Sequence, residues 1–103
     1  DALILKVKIE THYAFHRYFI EENQILNRIA ALPPVPVTII HGELDQTCLL
    51  SASRQLAANI PNCKLLVLSD TGHLIEELKM IETLVAATDQ FITIYKNSTT
   101  KWQ

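Results

Sequence analysis

A carboxylate held beside an imidazole is a compact device for moving a proton. The acid fixes the ring's tautomer and orientation and stabilises the imidazolium formed when the ring acts as a base. Asp45 and His73 offer such a pair. Asp45 lies just past a short apolar run that ends at Ile40, and His73 just past a second run that ends at Leu68. Cys48 follows Asp45 closely and could look like a nucleophile facing His73, but a reactive thiolate needs an electropositive and accessible site. His12 and His16 are spaced to share one side of a helix. Tyr13 follows His12 where a zinc protease motif needs Glu, and no third ligand is evident, so no metal is expected. Gly42 and Gly72 are the only glycines, which excludes a phosphate-binding loop, a dinucleotide fingerprint and a G-x-S-x-G elbow. No cofactor is expected.

The elements that must position Asp45 and His73 can be read from the same runs. VPVTII, from Val35 to Ile40, and KLLVL, from Lys64 to Leu68, have the composition and length of strands. Both are apolar on consecutive residues, the pattern of parallel strands buried on both faces. Ser51 to Ile60 reads as a helix capped by Ser51 and stopped by Pro61-Asn62. The result is a strand–helix–strand unit, whose crossover places both strand C-termini on one edge of the sheet. Ligands of open α/β sheets bind at that edge. Upstream, residues 1–31 read as helical. The piece from Ala14 to Ala31 is interrupted by Glu21, Glu22, Asn23 and Gln24, which predicts two helices with a bend. Pro33, Pro34 and Pro36 end that region. Downstream, Ile75 to about Lys96 reads as one long helix, followed by a polar tail over 97–103 that frays. The fold class is α/β.

With 103 residues the chain is one domain or less. At 49% hydrophobic and 19% charged it is not a disordered segment. A net charge of -2 gives no case for binding nucleic acid or an anionic membrane, and Phe91, Tyr95 and Trp102 lack the interleaved basic residues of a base-stacking surface. No apolar run reaches the ~18 residues of a membrane helix. Cys48 and Cys63 make no disulfide framework and fit a reducing compartment, or simply two buried small side chains. The first residues follow no signal-peptide plan. A cytoplasmic location is therefore expected, and the start reads like that of a chain cut from a longer one. Two strands do not normally make a stable sheet. The unfinished edge is expected to pair with a second copy, giving a homodimer, or with the rest of a larger fold.

Four segments carry a family resemblance. HGELDQTC at His41 to Cys48 resembles the HGRYD-x-x-CP stretch of the proline iminopeptidases, the prolyl aminopeptidase family of α/β-hydrolases. TGH at Thr71 to His73 resembles that family's SGH, and IETHY at Ile9 to Tyr13 its IENHYF. ATDQFI at Ala87 to Ile92 looks like its closing helix. The matches fall in the family's order over about residues 7–95. The resemblance implies the C-terminal part of an α/β-hydrolase fold: two parallel strands with covering helices, preceded by cap-region helices. Residues 1–31 would then be the end of the cap, 32–96 the C-terminal part of the core, and 97–103 a tail. It implies that Asp45 is the acid and His73 the base of a serine triad. It also implies that Glu10 grips the free α-amino group of a peptide bearing N-terminal proline, by a charge-assisted hydrogen bond, with His12 and Tyr13 near the substrate. Glu43, Leu44, Leu49, Thr11 and Ala14 depart from the family's residues; they bear on substrate preference and leave acid and base in place. The family order is serine, acid, histidine. Here Ser51, Ser53, Ser69 and Ser98 all follow Asp45, and none stands in a glycine elbow. The chain alone is thus expected to lack the nucleophile and to be inactive. Two other readings stand beside this one: a non-catalytic α/β module that acts by association, and an esterase or amidase of the same fold.

Overall fold

A computed structural model describes residues 1–99. The chain divides into two compact units, Asp1–Leu32 and the part from Pro33 onward.

The first unit begins with α1 (Ala2–Phe15). The Asp1 carboxylate caps it by accepting the Leu3 N–H at 2.8 Å. The expected break at Glu21 to Gln24 comes earlier. Arg17, Tyr18 and Phe19 all take left-handed φ values, between 51° and 56°, which end the helix at once. This reversal returns Phe19 to the last turn of α1, where its ring stacks on His16 at 5.1 Å and meets Tyr13 edge-on at 5.5 Å. Beyond it only a single turn, α2 (Gln24–Asn27), and a 3-10 turn at Ile29–Ala31 remain, so the expected second helix up to Ala31 is not one element. No residue of α1 is buried, and Leu3, Ile4, Leu5, Val7 and Ile9 are all exposed.

The second unit runs β1 (Val37–Gly42), α3 (Leu50–Asn59), β2 (Cys63–Leu68), α4 (Leu78–Thr99). The strands are parallel, with Val37 opposite Cys63 and Gly42 opposite Leu68. This is the expected α/β crossover. β1 starts two residues later than its composition suggests, because Pro33, Pro34 and Pro36 have no N–H to give. The Val37 N–H makes the first link, to the Asn62 carbonyl at 3.1 Å. The strand then runs on through His41 and Gly42, which lie outside the apolar run. α3 begins one residue early, and its cap position is Leu49. Ser51 sits inside the first turn and is not the cap, a correction that follows from the Ala52 N–H bonding the Leu49 carbonyl at 3.0 Å. Asn62, at φ 56°, makes the reversal into β2. α4 starts at Leu78 rather than Ile75 and continues to Thr99, so the expected polar tail is helical in its first part. Residues 100–103, with Trp102, lie outside the described residues.

Side chains alternate faces along a strand. Thr38 and Ile40 line a hollow with Met80 and Leu84 of α4, whereas His41 bonds Ser53 of α3. The two helices therefore cover opposite faces of β1. Met80 and Ala87 of α4 are buried, but most strand residues are only half-buried, because the sheet has two strands and two open edges among the described residues. No described helix is long and apolar enough to cross a membrane.

Candidate active site

The loop after β1 is organised by the side chain of Asp45. Its N–H donates to the Gly42 carbonyl at 3.2 Å, closing a turn. Its Oδ1 accepts the N–H groups of Thr47 and Cys48 at 2.9 and 2.8 Å, an Asx-type turn that fixes the carboxylate plane. With Oδ1 occupied, Oδ2 faces the second loop. There it lies 2.8 Å from Nδ1 of His73. The carboxylate accepts, so Nδ1 carries the proton and Nε2 is left as the basic nitrogen. The Asp45 side chain is 7% exposed and that of His73 47% exposed. A sheltered acid thus orients a ring that remains open to a reaction partner. The two residues that the parallel crossover was expected to bring to one rim are in direct contact.

The second loop is held from both ends. Leu44 N–H bonds the Thr71 carbonyl at 2.9 Å, tying it to the first loop. The Gly72 N–H is shared by both carboxylate oxygens of Glu77 at 3.0 and 3.1 Å, and Lys79 Nζ donates to the Ser69 carbonyl at 3.0 Å. Gly42 is where the two loops cross. A Cβ there would overlap the backbone of Thr71 and Gly72, so only glycine allows the approach. Beside the ring of His73 lies a hollow of about 280 Å³, lined by Thr38, Ile40, Ile75, Met80 and Leu84.

Burial pushes the Asp45 carboxyl up, but the Cys48 N–H, the His73 ring and the Thr47 N–H together outweigh it and hold the acid below the ordinary carboxylate range. A carboxyl with a depressed folded pKa stabilises the fold above its unfolded pKa of about 3.9, and loses that contribution as pH falls through the folded value. The stability gap between the parent chain and Asp45→Asn, measured by urea unfolding, is expected to close as pH falls below about 4 and the carboxylate is protonated. A gap that stays fully open at the lowest pH where both chains fold would contradict the depressed carboxyl.

Other residues singled out from the sequence lie elsewhere. Glu10, His12 and Tyr13 are on α1, in the first unit. Glu10 is exposed and 3.8 Å from Lys6 Nζ. The His12 ring packs edge-on against His16, with centroids 4.6 Å apart, and against Tyr13 at 6.0 Å. Among the described residues no cluster of three or more His, Cys, Asp or Glu could hold a metal ion. Cys48 is exposed and Cys63 half-buried, both as free thiols. Cys48 contributes its backbone to the site through the N–H on Asp45. Sequence reasoning gave no role to Glu77 or His41. His41 is buried, and its Nε2 lies 3.6 Å from Asp45 Oδ2. Its signal was a polar ring at the end of an apolar strand.

Two parallel strands joined by a helix, with a carboxylate–imidazole pair just past their C-terminal ends, define an α/β protein whose paired carboxylate and imidazole lie at the edge where such sheets bind ligands. No protein-family model matches the chain. It is 31% identical over 86 residues, 82% of its length, to a protein of Leptolyngbya boryana named "Probable proline iminopeptidase". It is 35% identical over 86 residues to the proline iminopeptidase of Xylella fastidiosa strain 9a5c, and 33% identical over 85 residues to that of Xanthomonas citri. The chain is a sequence relative of the proline iminopeptidases. It spans 27% of the first of these relatives, 28% of the second and 27% of the third.

Proposed function

We propose that this chain carries the acid and the base of a serine hydrolase of prolyl aminopeptidase type, as the C-terminal part of an α/β-hydrolase fold. The observation that carries the reading is the 2.8 Å contact between Asp45 Oδ2 and His73 Nδ1 on the sheet rim, in a relative of the proline iminopeptidases. In this reading Nε2 of His73 takes the proton of a serine hydroxyl as its oxygen attacks the carbonyl carbon of an N-terminal proline residue. Asp45 stays ionised and stabilises the imidazolium. The imidazolium returns the proton to the departing amine of the next residue. Water, activated by the same nitrogen, then cleaves the acyl-enzyme and frees proline. Glu10, with His12 and Tyr13 in the cap, accepts the substrate's ammonium group. The serine and its oxyanion hole belong to the three quarters of the relatives' length that residues 1–103 do not cover. The exposed apolar side chains of α1 and, among the described residues, the two open strand edges suit a piece that packs into a larger enzyme. The two free thiols suit a reducing, cytoplasmic setting.

The open edges also favour a second reading, a module that acts by association, including pairing with its own copy. One set of assays separates the two. Residues 1–103 alone are expected to release no aniline from a proline anilide above buffer. A complete polypeptide carrying them is expected to do so, with prolyl substrates preferred over short-chain esters. Turnover by residues 1–103 that disappears in His73→Ala would overturn the assignment of the nucleophile. A complete polypeptide with no hydrolase activity, and a stable dimer of residues 1–103 in sedimentation, would favour association. Preference for esters would favour an esterase of the same fold.

A further inference from the structure

His41 lies near the end of β1 with its ring buried and both nitrogens engaged. Nε2 is 2.7 Å from the Cys48 carbonyl oxygen, and Nδ1 is 2.7 Å from Ser53 Oγ on α3. A carbonyl only accepts, so Nε2 must carry a proton. In the neutral ring Nδ1 is then an acceptor, and the Ser53 hydroxyl donates to it. The tautomer is settled by partners on both sides. What the ring holds is the far end of the acid loop. Cys48 gives its carbonyl to His41 and its N–H to Oδ1 of Asp45 at 2.8 Å. One residue is thus gripped from one side by the ring and grips the acid from the other. The two groups belong to adjacent peptide planes hinged at the Cys48 Cα, so a carbonyl left unpinned lets the backbone turn at Cys48, and Oδ1 would lose a donor and the carboxylate would be free to rotate away from His73.

We propose that His41 is a positioning residue for the Asp45–His73 pair: its Nε2–H pins the Cys48 carbonyl, which keeps the Cys48 amide on Oδ1 and reserves Oδ2 for the base. Its catalytic meaning rests on the hydrolase reading above, but the positioning itself does not. Ser53 completes the ring's bonding on the side remote from Asp45 and acts on stability alone.

The test reads the tautomer of His73 in residues 1–103 labelled with 15N-histidine, with no substrate involved, so it can fail while the hydrolase reading stands, and the reverse. Glutamine at position 41 can place an amide donor near the Cys48 carbonyl. Asparagine reaches Ser53 but not Cys48. His41→Gln is expected to keep the protected Nδ1–H signal of His73. His41→Asn is expected to lower that tautomer's population about threefold to tenfold, the change that follows from loosening one ordinary hydrogen bond. Ser53→Ala is expected to lower the melting temperature and leave the His73 signal as in the parent. Equal His73 signals in folded His41→Gln and His41→Asn would overturn the proposal. So would a folded Ser53→Ala that loses the His73 signal, whatever the His41 variants do.

Discussion

Asparagine in place of Asp45 is expected to lower kcat of a complete enzyme carrying these residues by about 10⁴, with KM little changed, the scale seen when a triad acid loses its charge and its histidine takes the wrong tautomer. The geometry makes the direction of the fault definite. Two backbone N–H groups, from Thr47 and Cys48, point at Oδ1. An asparagine must meet them with its carbonyl oxygen, because its NH₂ group would face two donors with a third. The NH₂ is then forced into the place of Oδ2, 2.8 Å from Nδ1 of His73. Facing a donor, Nδ1 becomes the acceptor and the proton moves to Nε2, the nitrogen that takes a proton from the nucleophile in the proposed hydrolase reading. The substitution therefore reverses the base rather than merely weakening its support. Rates with a proline anilide, and the 15N shifts of His73 in residues 1–103, check the two halves of the argument separately. A variant within tenfold of the parent would mean that Asp45 is not the acid of a triad.

The contact on which this depends was legible in the sequence through topology together with the family resemblance of HGELD and TGH. Two apolar runs with a helix between them are parallel neighbours, and residues just past their ends share a rim. What fixes the details was not legible. β-branched composition points to a strand from Val35 to Ile40, but backbone donors decide where a ladder starts, Pro36 has none, and the strand runs over Val37–Gly42. His41 and Gly42 look like the turn after a strand, yet they are its last rungs. Their roles depend on groups that come near only when the loops close: the Cys48 carbonyl for one, the Thr71–Gly72 backbone for the other. Glu77 is a similar case, a helix-start acid whose partner is the N–H of a residue beside the base. In the first unit, the turn at Arg17–Phe19 has no glycine to announce it and is stabilised by ring contacts of Phe19 with α1. Spacing put Asp45 and His73 on one rim, and backbone contacts that no spacing encodes hold them in place.

Those backbone contacts make Gly42→Ala the most damaging small change expected in the second unit. Gly42 has no positive φ, so an added methyl carries no conformational penalty of the left-handed kind. The cost is volume. The new Cβ would overlap the carbonyl oxygens of Thr71 and Gly72 and lie 2.8 Å from the Thr71 carbonyl carbon, and backbone cannot swing aside as a side chain can. The second loop must retreat, stretching the Leu44 N–H bond to the Thr71 carbonyl and drawing His73 from Asp45. Overpacking of this kind costs about 1–3 kcal/mol. Each kcal/mol lowers Tm by roughly 4–8 °C in a chain of this size. In a complete enzyme, a shift of the base by about 1 Å is expected to cost on the order of 10² in rate as well. Gly72→Ala is the matched control. Its Cβ meets only Glu77 Oε1, at 3.0 Å, the end of a side chain that can yield. Thermal melts of the two variants should therefore separate, with Gly42→Ala falling well below Gly72→Ala and losing the Nδ1–H signal of His73. Equal melting temperatures would show that the two loops have room to part without disturbing the acid and the base.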